Sequence, residues 1–250
     1  VVAPVVAPVV GSALTGFWGW RGVLWTLAGI AALMFICAAG AVRESLPAAR
    51  RSTGPAFAGL GVVLRRGRFL GYVLLFASSF GVLMSYISAS PFVYQSIMGL
   101  SPEAYGLMFG LNAAGMVTSG FIAARLSRRV PPRRTVLRAV AVLVGFAVVL
   151  LVMVLAAVPA LLLAVPLFCM VSSLGFIMGN TTALALAQAE GATGSGSAVL
   201  GGAQFLMGAV VSPLTGLGGE FTALPLALVM TGSALLAATA LFLTRERQSA

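Results

Sequence analysis

The apolar residues of this chain fall into blocks of about 20, the length a helix needs to cross a hydrocarbon core of about 30 Å. The blocks lie at 22–42, 69–90, 104–124, 137–158, 160–186, 198–218 and 223–243, and a further apolar stretch runs from Val1 to Leu14. A segment of this kind in lipid has no water for its backbone donors and acceptors, so it must satisfy them internally as helix. Only 8% of the 250 residues are charged and 60% are hydrophobic, with a mean hydropathy of +1.08. A soluble domain carries roughly 25% charge, and this chain has too few polar groups to cover a water-facing surface. The expected fold class is an all-α integral membrane protein whose first partner is the lipid bilayer.

The few charges carry the next constraint. All fifteen basic residues are Arg, the five acids are all Glu, and His, Lys and Asp do not occur. Six arginines (Arg43, Arg50, Arg51, Arg65, Arg66, Arg68) occupy the connector 43–68, and six more (Arg125, Arg128, Arg129, Arg133, Arg134, Arg138) surround the next-but-one connector. Intervening connectors carry none, and Arg245 and Arg247 close the chain. Positively charged loops stay on the cytoplasmic side. Strict alternation of the spans then places fourteen of the fifteen arginines inside, Arg21 outside, and the C terminus in the cytoplasm. Spread over separate loops in this way, the net charge of +10 reads as a topology signal and not as a nucleic-acid surface. Cys37 and Cys169 lie in different spans and read as packed thiols, not as a disulfide.

Polar and small residues inside the spans are the candidate functional positions. Asn112, Asn180 and Gln204 sit in apolar surroundings where an unpaired amide is costly, so each faces another helix, as a structural hydrogen bond, or lines a wet substrate cavity. Phe80, Tyr86, Phe109, Met178 and Phe205 offer aromatic and thioether surface for loosely selective apolar ligands, or ordinary packing. Gly106-x-x-x-Gly110 and Gly175-x-x-x-Gly179 are small-residue stripes of the kind that let helices approach closely. Ala3, Ala7 and Gly11 form a third stripe, interrupted by Pro4 and Pro8, which each remove a backbone donor. Two Trp in the link TGFWGWR (Thr15–Arg21) suit a membrane edge.

The pattern A-P-x-x-A-P-x-x-G at Ala3–Gly11, followed by that Trp-containing turn and a span ending R-E-S-L-P, resembles the fifth and sixth helices of drug:proton antiporters of the major facilitator superfamily. SASPFVYQ (Ser88–Gln95), GLMFGLNAAG (Gly106–Gly115), GATGSGSAVLGGAQF (Gly191–Phe205) and GAVVSPL (Gly208–Leu214) are similar to its bicyclomycin/chloramphenicol-resistance (Bcr/CflA) subfamily. Gly120-Phe-Ile-Ala-Ala-Arg125-Leu-Ser-Arg128-Arg129 resembles the superfamily's loop motif G-x-L-A-D-R-x-G-R-R, with Ala124 in place of the Asp and Ser127 in place of the Gly. The resemblance implies a partial major-facilitator fold of about eight transmembrane helices, with the first four of twelve missing. On that reading 1–42 ends the N-terminal six-helix bundle (helices 5–6), 43–68 is the central cytoplasmic loop, and 69–250 is the C-terminal bundle (helices 7–12). Ala3, Pro4, Ala7, Pro8 and Gly11 then form the antiporter motif. Gly120, Arg125, Arg128 and Arg129 form the cytoplasmic loop motif, as a conformational latch or as topology determinants alone.

The expected function is secondary active export of small, largely apolar drug-like compounds in exchange for protons by alternating access, in a bacterial inner membrane. The proton and drug elements come from the resemblance. Proton coupling needs a titratable group in the membrane, and Glu44, Glu103, Glu190, Glu220 and Glu246 all fall in loops or at span ends. The coupling residue is therefore expected in the missing N-terminal part. An exporter of a metabolite, such as a sugar or amino-acid derivative, is the alternative. A membrane enzyme or a channel is remote: without His, Asp or buried Glu the chain lacks the usual intramembrane hydrolytic and metal sites. No nucleotide fingerprint occurs, so no cofactor or metal is expected.

Overall fold

The computed structural model describes the backbone of residues 3–41 and 58–244, and the side chains of this range except those of 3–13, 15–17 and 58. The chain divides into two compact units, Val1–Ala56 and Phe57–Ala250.

The first unit is helical over Ala3–Ala41 (α1), with a break at Gly19, whose φ of 64° and ψ of −174° leave the helix. An L side chain rarely adopts that conformation, and the glycine sits in the link expected at Thr15–Arg21. Arg21 lies over the ring of Trp20 at 4.5 Å, a cation–π contact at the start of the next span. Cys37 is free and is not buried within its unit, so the expectation of a packed thiol does not hold there.

The second unit contains α2 (Ala58–Leu64), α3 (Gly67–Pro91), α4 (Pro102–Leu126), α5 (Pro132–Leu155), α6 (Ala164–Ala187), α7 (Thr193–Thr215) and α8 (Leu224–Leu243). A π-helical turn, Phe92–Ile97, extends α3, and a 3₁₀ turn, Ala160–Leu163, leads into α6. The short α2 falls within the connector read as loop. Seven helical stretches among the described residues are long and apolar enough to cross a bilayer, from Trp18–Ala41 to Leu224–Leu243. They match the seven full spans read from hydropathy.

The centre of the second unit is α3, which packs on α6, α7 and α8. In its most apolar stretch 72% of residues are buried, against 17% for α7. Its composition explains this: Ala77, Ser78, Ser79, Gly81, Ser85, Ala89 and Ser90 keep it thin. Thinness costs no unpaired hydroxyl at the deepest points, because Ser79 donates to Leu75 O at 2.8 Å and Ser85 to Gly81 O at 2.8 Å. A second centre is α6, between α4, α5 and α3. At its crossing with α4 a Cβ on Gly175 would run into Ser119 Oγ and the Met116 carbonyl, with Gly120 N at 2.8 Å. Ser119 also donates to Ser172 O at 2.6 Å, tying the two helices where they touch. Gly106, Gly110 and Gly179 have nothing near the Cβ position, so only Gly175 of the two proposed stripes is a packing residue.

The loops sort by charge. Gly71 of α3 lies against Ala240 of α8 and Thr244 just beyond it, Phe69 lies beside Gly196 of α7, and Arg66 reaches the end of α6. The starts of α3, α5 and α7 thus share one end of the bundle with the ends of α4, α6 and α8. All nine described arginines of this unit lie there, within about two turns of the helix termini, while Glu103 and Glu220 lie at the opposite end.

Candidate functional site

The most polar cluster of the bundle sits at the end opposite the arginines, where α3 passes into its π turn and returns as α4. Pro91 has no N–H to continue the helical ladder, and the turn beyond it widens: Met98 N bonds Val93 O at 3.0 Å, five residues back. Such single π turns recur at functional positions. This one delivers Tyr94 inward, fully buried. The chain then turns, and Ser101 caps α4 by accepting from Ala104 N at 3.3 Å, with Pro102 next and Glu103 in the first turn.

Four rings meet in a row through the junction, one pair stacked and two tilted. Tyr86 lies nearly parallel to Phe109 at 5.8 Å, Phe109 contacts Tyr105 at 6.0 Å, and Tyr105 contacts Tyr94 at 6.1 Å. Asn112 lies one turn beyond Phe109 and is 1% exposed. Its Nδ2 donates to Met108 O at 2.8 Å and reaches Tyr94 Oη at 3.4 Å. A carbonyl can only accept, so the first bond fixes which way the amide points and leaves Oδ1 as a buried acceptor without a protein donor. Tyr86 Oη is likewise buried without a hydrogen bond of good geometry. Ser90 Oγ and Tyr105 Oη, at 3.3 Å, complete the polar margin. The cluster is an aromatic box with one committed acceptor and no charge.

The other sequence-derived candidates do not join it. Phe80 meets Phe205 edge-on at 6.0 Å between α3 and α7, and Phe205 is 68% exposed on its unit. Gln204 beside it is half-buried and has no hydrogen-bond partner among the described residues. Asn180, on α6, returns its Nδ2 to Phe176 O at 2.8 Å in its own helix, and Met178 is half-buried next to it. Of the two roles open to the three amides, a structural interhelical bond or a cavity lining, the first is filled in this unit mainly by hydroxyls. Besides Ser119 to Ser172 O, Ser88 donates to Ser212 Oγ at 3.0 Å and Thr231 to Ala147 O at 3.1 Å. Small hydroxyl residues do this at close crossings, where an Asn side chain has no room.

The residues missed by sequence reasoning are Tyr94 and Tyr105. Tyr94 carried a signal, three residues after Pro91, which directly follows the span read as 69–90. At the basic end, Gly120 of the loop motif faces the Gly175 carbonyl, 3.8 Å from its Cβ position. Arg125, Arg128 and Arg129 are exposed with no ion pair among the described residues. The two departures from the motif meet each other, Ser127 Oγ donating to Ala124 O at 2.8 Å. The side chains of Ala3, Pro4, Ala7, Pro8 and Gly11 lie outside the described residues, as do Arg43, Arg50, Arg51, Arg245 and Arg247. No group of three His, Cys, Asp or Glu that could hold a metal occurs among the described residues.

A bundle of lipid-length helices with its arginines at one end and an uncharged aromatic–amide cluster at the other defines a polytopic membrane protein. The sequence profile of the Major Facilitator Superfamily matches residues 1–213, and the chain belongs to that family. It is 33% identical to the uncharacterized MFS-type transporter YdgK of Bacillus subtilis, over 98% of this chain and 62% of that protein. A bicyclomycin resistance protein homolog of Haemophilus influenzae is 24% identical over 98% of the chain and 63% of its own length. The multidrug transporter MdfA of Edwardsiella piscicida is 32% identical over 54% of the chain and 33% of its own length. The chain therefore spans under two thirds of the length of the first two relatives. The superfamily consists of transporters and not of enzymes.

Proposed function

We propose that this chain belongs to an exporter of small, largely apolar, uncharged compounds, working by alternating access in exchange for protons in a bacterial inner membrane. The observation that carries the substrate class is the aromatic box around Asn112. Stacked rings accept flat apolar bodies with little discrimination, and a single fixed acceptor selects those that carry a donor. No fixed charge lies in the cluster to hold an ion. Two relatives, a bicyclomycin resistance protein homolog and a multidrug transporter, support a drug-like substrate.

Within this reading, 1–42 contributes helices 5 and 6 of the N-terminal bundle, 43–68 the central cytoplasmic loop, and 69–250 the C-terminal bundle, with the arginine-rich end and the C terminus cytoplasmic. The aromatic box then lies towards the outer end of the bundle. Glu103, Glu190 and Glu220 all lie at helix ends, so the proton-coupling group is assigned to a part of the protein outside these spans.

The test is accumulation of a bicyclomycin, phenicol and dye panel in an efflux-deficient bacterium expressing the full coding sequence, with and without a proton uncoupler. The reading requires lower accumulation of at least one compound, abolished by the uncoupler. Normal membrane expression with unchanged accumulation of every compound would remove the drug-export reading in favour of a dedicated metabolite exporter.

A further inference from the structure

Away from the aromatic box, α5 and α8 leave a groove of about 430 Å³ between them. Val140 and Leu241, both buried, lie deepest in its lining; Ala141, Gly145 and Ala238 are the small residues along it, and Leu137 and Phe242 are 49% and 55% exposed. A Cβ placed on Gly145 would have nothing within 4 Å, so the groove is open at that point to whatever lies outside. At one mouth stands Arg133, exposed and without a partner among the described residues.

Length and polarity together name the occupant. From Arg133 to Gly145 the groove follows α5 for twelve residues, about 18 Å at 1.5 Å each. That is close to one leaflet of a hydrocarbon core about 30 Å thick. A cation therefore marks the headgroup level, and an apolar trough runs from it to about the midplane. The same side of α5 exposes Val142 and Val149, as a surface bathed in acyl chains would. Arg129, Arg134 and Arg138 add positive field around the mouth without lining the groove.

We infer that this groove is a binding site for one anionic glycerophospholipid, with Arg133 at its phosphate and one acyl chain lying along Ala141 and Gly145. The site uses only the membrane-spanning character of the chain, and is independent of what the protein exports.

The test uses the full-length protein in mild detergent and two photoactivatable lipids with identical acyl chains, phosphatidylglycerol and phosphatidylcholine, with labelled peptides identified by mass spectrometry. Phosphatidylglycerol is expected to label the facing segments of α5 and α8 about fivefold more than phosphatidylcholine, the preference one near-surface arginine provides. Arg133→Gln should remove most of that preference, Arg133→Lys should keep it, and Gly145→Leu should lower labelling by both lipids. Equal labelling of the groove by both lipids in the unmodified protein overturns the proposal. Labelling indifferent to Arg133→Gln, or absent from α5 and α8 because another helix or a second copy covers them, does the same. Should Gly145→Leu not fold, the Arg133 pair at its exposed position decides alone.

Discussion

Arg66, just before α3, donates from Nη1 to the carbonyl oxygen of Gln188 at 2.6 Å and to that of Glu190 at 3.2 Å. The bonds close the C-terminal end of α6, where carbonyls lack helical partners and a cation also meets the negative end of the helix dipole. One of the arginines that reads in sequence as a topology marker is thus also a structural cap, fastening the basic connector to the turn between α6 and α7.

Arg66→Ala is accordingly expected to destabilise the folded protein by about 1.5 kcal/mol, the worth of a hydrogen bond to a charged group. Arg66→Lys should recover part of that, since an ammonium reaches one carbonyl but not both. Thermal unfolding in detergent checks this. A midpoint unmoved by Arg66→Ala would mean the cap carries no stability.

The two glycine stripes should respond oppositely to the same change. Gly175→Val drives a branched side chain into Ser119 and the α4 backbone, an overpacking cost of about 1–3 kcal/mol. Gly110→Val meets open space and should stay within about 0.5 kcal/mol. Yield of monodisperse protein and unfolding midpoint read both. Equal damage at the two sites would contradict the crossing geometry.

Among the buried amides, Asn112 and Asn180 should separate in export. Removing the free acceptor with Asn112→Leu is expected to weaken export of donor-bearing compounds about five- to tenfold, and to leave compounds without a donor nearly unchanged. Asn180→Leu removes a bond internal to α6 and should change neither class by more than about twofold. Dose–response resistance with each compound class decides the matter. A general loss with Asn112→Leu would point to misfolding, and protein level in the membrane distinguishes the two.

Orientation is open to direct measurement. A reporter that fluoresces only when folded in the cytoplasm, fused after the complete C terminus, is expected to be bright. Replacing Arg125, Arg128, Arg129, Arg133 and Arg134 together by Gln should dim it by producing mixed topologies. A dark reporter on the unmodified protein would invert the assignment of the basic end.

The spans were legible because lipid enforces a single pattern, blocks of apolar residues as long as the bilayer is thick, and neighbours have little power to override it. Gly19 shows the same clarity at finer scale, since the link it breaks was marked by Trp and Gly. Legibility failed where a residue's meaning depends on the facing helix. Gly110 and Gly175 look alike in sequence, and only the position of α4 makes one of them a contact. Asn112 and Asn180 look alike too, and both bond the carbonyl four residues back, yet only Asn112 also stands among aromatic rings. Tyr94 escaped because it lies beyond the span read as 69–90, in the link to the next one, where no helical face is assigned to it. Hydropathy averaged the seven residues Ala58–Leu64 into a long basic connector and so passed over α2.

The turn at Phe92–Ile97 bears on how this region tolerates changes of length. A turn that holds about one residue more than an α turn works as a phase shifter: everything after it is rotated by about 100° from where an unbroken helix would carry it. Deleting one residue there would not shorten the protein in any important sense. It would turn Tyr94 like a dial, out of the ring stack and towards the periphery, while every span kept its length and hydropathy. In this segment the count of residues sets direction rather than distance.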